Sequence, residues 1–461
     1  MYSFLFCLRR LDHPDCHLVL ELCVSGPHLP THSPAVALGA VPLSFRELGL
    51  NHYVLTISCL NAGQKLHEYA RQNRTIWKGS TSSVSGALSQ LYHLYARFRP
   101  VNLHNLSEHF QHQASRFSPA SRSPIILKLI PKDGSYAIDR QNPQRPDTIL
   151  SSLGKSYERM VTMDQDEFEG TFLKTSGLRM DVTSSAEDTY NYLHIGNYML
   201  RSQLDCYDPE AGVFDLKSRA TNPIRIYADD DPSMHLGYKL TRLMGPTNSF
   251  EREYYDMTRS AFLRNIFQVR IGDMAGIFVA FHNTKEVFGF EHINLDDMEQ
   301  CIFQSKRMAD ITFDVTLKLL DQILQVATSS YQASDTLRVM LKTQQQLDSG
   351  TSMYIFVEKI EPDNVLPATM PTSFNPEHLH SIKCFKLTTE TVVDSKFTRG
   401  VVNIYDDNDV RVLYKIRPAE EMLSAITLHY IRSLQELYPT KERKMPARIM
   451  KQTSYLKTHE L

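Results

Sequence analysis

Three ionisable residues, Asp205, Asp215 and Lys217, interrupt a stretch that otherwise has the pattern of two short strands joined by a turn. The turn chemistry comes from residues 208–212, DPEAG, with apolar residues on both sides. Because side chains alternate along a strand, Asp215 and Lys217 share one face and Leu216 points to the other. If the strand register sets Asp205 opposite Asp215, two carboxylates meet on one surface.

Such a pair of carboxylates predicts a cation site. Two carboxylates repel each other unless a cation lies between them, and hard oxygen ligands suit Mg²⁺ or Mn²⁺. A lysine two residues further along the strand can hold a phosphate or a water molecule beside that cation. This layout is typical of metal-assisted phosphodiester hydrolysis.

The alternative interpretation is a salt bridge on a surface strand. An acid followed two residues later by lysine occurs three times in the chain, also at Asp394 to Lys396 and at Glu442 to Lys444. The triplet alone therefore carries little information. The upstream Asp205 and the apolar flanks distinguish the triplet at 215–217, but the pattern leaves both interpretations open.

The whole-chain composition limits the function classes. At 461 residues the length suggests two or three domains, or one core with large additions. The formal charge of −2 gives no general attraction for a polyanion, so nucleic-acid binding would need a local basic patch. Seven scattered cysteines without a CxxC pair fit a reducing compartment and do not suggest zinc. No apolar run approaches the about 20 residues of a membrane span, and the start of the chain makes a poor secretory signal and an incomplete organelle-targeting one.

The elements around this stretch predict one mixed sheet with α-β-β-β-α-β order. A helix begins near Pro146 and carries Glu158 beside its apolar stripe. Strands follow at 190–195 and on either side of the DPEAG turn, and the pattern predicts another strand at 224–227. A long helix is expected from Ser249 to Arg270, with Ser249 as its cap, before a strand at 277–281.

A hydroxyl-rich helix start lies further upstream. Residues 80–83, STSS, precede a run with apolar residues at helical spacing that ends before Pro100. The free backbone N–H groups of such a start can bind phosphate. Simple N-capping by a hydroxyl is the interpretation that we favour at this point.

Several longer strings resemble a known family. LRSQLDCYDP, GVFDLKSRA, SFEREYYDM and RSAFLRNIFQVRIG are similar to the fungal mitochondrial Pet-type family of RNA 5′-end-processing proteins, within the PD-(D/E)XK nuclease superfamily. The resemblance covers about Trp77 to Phe290, with weaker similarity to about Tyr331. It implies an α/β fold with a PD-(D/E)XK nuclease-like α-β-β-β-α-β core, a mixed central sheet flanked by helices, and α+β additions at the C-terminal side.

The resemblance also implies roles for individual residues. Asp205 and Asp215 match the metal-binding carboxylates, and the Leu216 carbonyl can reach the ion. Lys217 matches the catalytic lysine, and Glu158 matches the first-helix glutamate, a further metal or water ligand. The candidate nucleic-acid-binding residues are Arg201, Gln203, Arg219, Arg252, Arg259 and Gln268. The Gln-x-x-x-Tyr submotif of exonuclease members is absent, because the fourth residue after Gln268 is glycine.

The implied function is Mg²⁺- or Mn²⁺-dependent exoribonuclease action on mitochondrial RNA, trimming 5′ ends in the 5′→3′ direction. The implied partners are RNA and the mitochondrial RNA polymerase, with peripheral association at the inner membrane and mitochondrial localisation. The alternatives are a catalytically silent RNA-binding or polymerase-accessory protein on a nuclease fold, and a scaffold without a nucleic-acid role.

We expect four regions along the chain. They are an irregular N-terminal extension at 1–75, the nuclease-like core with a helical and strand addition at 76–290, a helical and strand region packed on the core at 291–440, and a basic tail at 441–461.

Overall fold

A computed structural model gives the fold of part of the chain. The described residues are 4–10, 18–24, 62–143, 189–208, 212–226, 238–283, 287–346, 350–371, 379, 381–405 and 407–438. Glu158 and its expected helix, residues 209–211 of the DPEAG turn and the basic tail lie outside these residues.

Sixteen strands are found in the described residues. They are β1 Phe4–Arg10, β2 Leu18–Val24, β3 Trp77–Ser80, β4 Ile125–Lys132, β5 Ser135–Arg140, β6 Thr189–Ile195, β7 Tyr198–Leu204, β8 Cys206–Asp208, β9 Gly212–Ala220, β10 Gly276–His282, β11 Val287–Asn294, β12 Leu337–Gln346, β13 Gly350–Lys359, β14 Lys383–Val393, β15 Lys396–Phe397 and β16 Val410–Pro418.

The helices alternate with these strands. They are α1 Ala62–Gln72, α2 Thr81–Tyr95, α3 Glu108–Gln111, α4 Asn222–Ile226, α5 Phe250–Ser260, α6 Phe262–Gly272, α7 Leu295–Ile302, α8 Lys306–Ser329 and α9 Leu423–Leu437.

The strands form two larger sheets and one hairpin. A ten-stranded sheet has the order β15-β14-β13-β12-β4-β5-β3-β7-β6, with β16 paired to β14. A four-stranded sheet has the order β11-β10-β9-β8, and β1 pairs with β2. The mixed α/β class is confirmed, but the expectation of a single sheet for the core strands is wrong. The chain leaves the large sheet at Leu204 and enters the small one at Cys206, so Asp205 lies at the crossing.

Two parallel pairings set the geometry near this crossing. β3 runs parallel to β7, with Ser80 aligned to Arg201, and α2 begins directly after β3. β9 runs parallel to β10, and α5 and α6 form the connection between them. Parallel neighbours need such a crossover, which commonly contains helices.

The main core lies between the sheets and helices α2, α6 and α8. Helix α2 is buried along nearly its whole length, so it behaves as a core helix rather than an amphipathic surface helix. In the large sheet, Leu127 and Leu129 of β4 face this core, while Ile126 between them joins a second cluster with Tyr430 of α9. The sheet is therefore covered on both faces there.

Several sequence expectations differ from the structure. The expected long helix breaks at Ala261 into α5 and α6, although Ser249 caps its start as predicted: its Oγ accepts from the N–H of Arg252 at 3.0 Å. Residues 224–226 of the strand predicted at 224–227 lie instead in α4, and residue 227 lies outside the described residues. The N-terminal extension, expected to be irregular, contains β1, β2 and α1.

Candidate active site

The break between β7 and β8 brings Asp205 opposite Asp215. β8 pairs antiparallel with β9, with Cys206 aligned to Phe214, and one further step in this register faces Asp205 with Asp215. The backbone N–H of Leu216 donates to Oδ2 of Asp205 at 2.9 Å. The two carboxylates therefore meet at the junction of the two sheets, in the register that the sequence leaves as a condition.

Strand β9 separates the polar residues from the apolar one. Asp215 and Lys217 lie on the same face, with Nζ of Lys217 2.6 Å from Oδ2 of Asp215. Leu216 points to the opposite face and is buried. Asp215 is also buried, whereas the Lys217 side chain is 30% exposed, so the lysine reaches from a buried acid towards solvent.

The surroundings of Asp205 disfavour the ionised form of its carboxyl group. Burial raises the pKa of Asp205 well above its ordinary value, and the charge of Asp215 and a hydrogen bond with it raise it further. Lys217 and the N–H of Leu216 act in the opposite direction but do not reverse the shift. A raised carboxyl pKa beside a second acid is typical of a functional site.

The acids open into a polar cleft of about 350 Å³, within the range of about 300–1,000 Å³ common for ligand sites. The cleft brings together three of the six predicted nucleic-acid-binding residues, Arg201, Gln203 and Gln268. The lining residues are Ser80, Thr81, Ser82, Tyr190, Arg201, Ser202, Gln203, Asp205, Asp215, Leu216, Lys217, Ser218 and Gln268.

The other three predicted nucleic-acid-binding residues do not line this cleft. Arg219 donates to Oε2 of the buried Glu253 at 2.8 Å. Arg252 pairs with Asp256 of its own helix at 3.3 Å. Arg259 donates to the carbonyl of Arg116 at 2.8 Å and stacks over a tyrosine ring.

The residues present fit a divalent cation in their chemistry. Asp205 and Asp215 offer adjacent carboxylate oxygens, and a bound cation would favour the ionised form of Asp205, whose pKa is raised by burial and by the charge of Asp215. Within the part of the chain that the structure describes, no group of three or more His, Cys, Asp or Glu side chains is assembled for a metal. The predicted third carboxylate, Glu158, lies outside that part, so its proximity stays a prediction.

Sequence reasoning underestimated the helix start at residues 80–83. Ser80, Thr81 and Ser82 line the cleft, while Ser80 makes no side-chain cap of the kind that we favoured from the sequence. Its Oγ is instead 2.8 Å and 2.9 Å from the hydroxyls of Ser82 and Ser83. The sequence signal for this part of the cleft was the hydroxyl-rich helix start itself. Its position beside Arg201 depends on the pairing of β3 with β7, which the local sequence does not specify.

Comparison with known proteins decides the family. The family model for mitochondrial protein Pet127 matches residues 60–325, more than half of the chain. The chain belongs to the Pet127 family. This membership confirms the predicted resemblance, and the family description carries the mitochondrial localisation that the resemblance implied.

Two curated relatives of the Pet127 family are similar to the chain. The mRNA degradation protein pet127, mitochondrial, of Schizosaccharomyces pombe is 37% identical over 289 residues, which cover 61% of this chain and 54% of the relative. PET127 of Saccharomyces cerevisiae, whose description connects it with the mitochondrial translation system, is 34% identical over 250 residues, which cover 52% of this chain and 29% of the relative. The chain thus spans about half or less of the length of these relatives.

Two solved structures of Rai1 are also similar. Scheffersomyces stipitis Rai1 in complex with (3′-NADP)⁺ and calcium ion has 10% identity and a TM-score of 0.32, covering 68% of this chain and 78% of that one. Candida albicans Rai1 in complex with pU5-Mn²⁺ has 12% identity and a TM-score of 0.31, and the match covers 65% of this chain and 73% of that one. Among the described residues, no helix has the length and apolar character needed to cross a membrane.

Proposed function

We propose that this Pet127 family member is a metal-dependent ribonuclease of mitochondrial RNA that trims 5′ ends in the 5′→3′ direction. The observation that carries the proposal is the pair of acids, Asp205 and Asp215, in the lining of a polar cleft. Burial of an acid pair is unfavourable for the fold alone, because each charge raises the free energy of the other. A ligand that offsets the negative charge of the two acids would explain why they lie together beside Lys217.

In this mechanism each residue has a separate task. Asp205 and Asp215 would hold the cation through their carboxylate oxygens, and the Leu216 carbonyl is a further oxygen donor. A bound Mg²⁺ or Mn²⁺ would lower the pKa of a water ligand and offset the charge that develops on the phosphate. Lys217, partly exposed at the cleft, would hold the attacking water or a phosphate oxygen. Glu158 is proposed as the remaining carboxylate.

The RNA would be held by local contacts rather than by the overall charge, which is −2. Arg201 can pair with phosphate oxygens, while the amides of Gln203 and Gln268 can donate to phosphate or ribose. All three line the cleft that holds the acids. This supports a substrate whose backbone, and not its base sequence, is the feature recognised.

The 5′→3′ direction and the mitochondrial RNA substrate come from the sequence resemblance. The mitochondrial RNA substrate also agrees with the name of the Schizosaccharomyces pombe relative, a mitochondrial mRNA degradation protein. Contact with the mitochondrial RNA polymerase and peripheral association with the inner membrane belong to the same proposal.

The test is digestion of a 5′-monophosphorylated, 3′-labelled RNA with and without Mg²⁺. Asp215→Asn should lower the rate by at least about a hundredfold, as removal of one charge-stabilising group from an active site commonly does. Asp394→Asn is the matched control, because Asp394 also lies two residues before a lysine. It occupies an exposed turn and accepts hydrogen bonds from Asn408 and Asp409 at 2.8 and 2.9 Å.

The products distinguish the modes of cleavage. Progressive shortening of the 3′-labelled strand from its 5′ end supports exonucleolytic trimming, whereas discrete internal fragments would indicate an endonuclease. If Asp215→Asn digests the RNA as fast as the wild type does, hydrolysis does not take place at this acid pair. RNA binding without Mg²⁺-dependent digestion would favour the accessory-protein alternative.

A further inference from the structure

We propose that the start of helix α2, together with Arg201, forms a phosphate subsite that holds a second phosphate group of the RNA beside the catalytic acids. This inference rests on the proposed function and adds a substrate-positioning site to it. The occupant is a phosphate group of the nucleic acid, either a terminal 5′-monophosphate or an internal phosphodiester.

The first observation is an uncapped helix start that opens into the cleft. Ser80, the residue before α2, has an extended backbone and makes no side-chain bond to the first helical N–H groups. The first N–H groups of a helix have no acceptor within the helix, and they carry the positive end of its dipole. Residues 80–82 line the cleft, so these donors lie at its wall.

The second observation is the side chain of Thr81. Only 8% of the residue is exposed, and within the described part of the chain its hydroxyl has no hydrogen-bond partner. A hydroxyl that makes no hydrogen bond to the protein is available to donate one to a ligand. Because Thr81 lines the same cleft, a ligand oxygen entering the cleft can accept that hydrogen bond.

The third observation is the cation that stands beside this helix start. The parallel register aligns Arg201 with Ser80. Its guanidinium lies 4.9 Å from the centroid of the Tyr190 ring, and no ion pair of Arg201 occurs among the described residues. An arginine held against an aromatic face keeps its N–H groups available for bidentate contact with phosphate.

Phosphate fits this combination better than a neutral ligand does. Hydroxyl and backbone N–H donors, a guanidinium and a positive helix end all favour an anion. The catalytic acids of the same cleft would repel an isolated carboxylate ligand, whereas an RNA chain can place one phosphate at the acids and its neighbour at the helix start. The subsite would thus align the strand relative to Asp205 and Asp215.

The experiment measures the affinity of wild-type protein and variants for a 3′-fluorescein RNA in EDTA, where hydrolysis is stopped. Thr81→Val removes the hydroxyl and keeps the shape, and Arg201→Gln removes the charge. Each should raise the Kd about tenfold, the effect of losing one hydrogen bond to a charged group. Arg411→Gln, which removes an exposed arginine of β16, is the charge-matched control and should stay within about twofold.

A further variant isolates the backbone contribution. Thr81→Pro removes the hydroxyl and the first helical N–H, and proline is tolerated at this first helical position. The φ of −113° and ψ of 163° at Ser80 suit a residue before proline. Its Kd should rise further than that of Thr81→Val, while circular dichroism and thermal unfolding report that the fold is retained.

RNAs with a 5′-monophosphate and with a 5′-hydroxyl identify the occupant. A loss of affinity restricted to the phosphorylated RNA assigns the subsite to the terminal group, and an equal loss on both assigns it to an internal phosphodiester. Unchanged Kd values for folded Thr81→Val, Thr81→Pro and Arg201→Gln on both RNAs would overturn the subsite.

Digestion in Mg²⁺ separates this inference from the proposed function. If both hold, Thr81→Val lowers kcat/KM by at least the factor by which it raises the Kd in EDTA. If these variants are active with unchanged kcat/KM, the subsite is refuted and the nuclease function is kept. If the wild type binds RNA in a phosphate-dependent way but does not digest it, the subsite is supported and the proposed nuclease function is refuted.

Discussion

Replacing Glu291 by glutamine should stabilise the protein at neutral pH. Glu291 lies on β11 and is only 5% exposed, and its Oε2 has no hydrogen-bond partner among the described residues. Burial raises its pKa to about 8, the charge of Arg219 acts in the opposite direction, and the charges of Glu253 and Asp297 add smaller increases. The folded protein therefore holds a proton that the unfolded chain releases.

The size of the effect follows from the two pKa values. The ordinary pKa is 4.5 and the folded value about 8, so between these values the unfolded chain binds fewer protons and stability falls as pH rises. At pH 7 the cost is about 3 kcal/mol, and between pH 6.5 and pH 8 the free energy of unfolding should fall by about 1.5 kcal/mol. Glutamine has no proton to lose, so this part of the pH dependence should disappear.

The assay is urea unfolding of wild type and Glu291→Gln at pH 6.5, 7 and 8. This window lies above the pKa values of two other buried groups in the folded protein. Burial raises the pKa of Asp297 to about 6 and lowers the pKa of His282 to about 4. Exposed Glu361→Gln controls for the loss of one carboxylate from the net charge. The reasoning is refuted if Glu291→Gln keeps the wild-type slope, or if it is less stable than the wild type at pH 7.

Two further predictions concern buried charge. Glu253→Gln should lower the free energy of unfolding in urea by about 3–5 kcal/mol, because it removes the carboxylate that pairs with Arg219 and Arg225, each at 2.8 Å. An unchanged unfolding midpoint would argue against a buried ion network. In EDTA at pH 8, Asp205→Asn should raise the Tm, because Asp205 has a raised pKa beside Asp215 and is destabilising when ionised. Saturating Mg²⁺ should raise the wild-type Tm more than that of Asp205→Asn, and equal shifts in both would count against a cation at this acid pair.

The local features of the site could be predicted from the sequence, because they depend on neighbouring residues. Alternation along a strand puts Asp215 and Lys217 on one face and Leu216 on the other, whatever the rest of the fold does. The cap at Ser249 is local in the same way, since the accepting hydroxyl and the donating N–H are three residues apart. The specific strings also identified the family correctly.

Tertiary structure alone decided which distant residues share the cleft. Ser80 lies beside Arg201 because β3 pairs parallel to β7, and no local pattern specifies that register. Arg219 looked available in the sequence, yet Glu253 from another element engages it. The crossing at Asp205 between two sheets is likewise a consequence of long-range strand pairing. Register and ion-pair choice depend on the packing of the whole core, and so they appear only when the chain is folded.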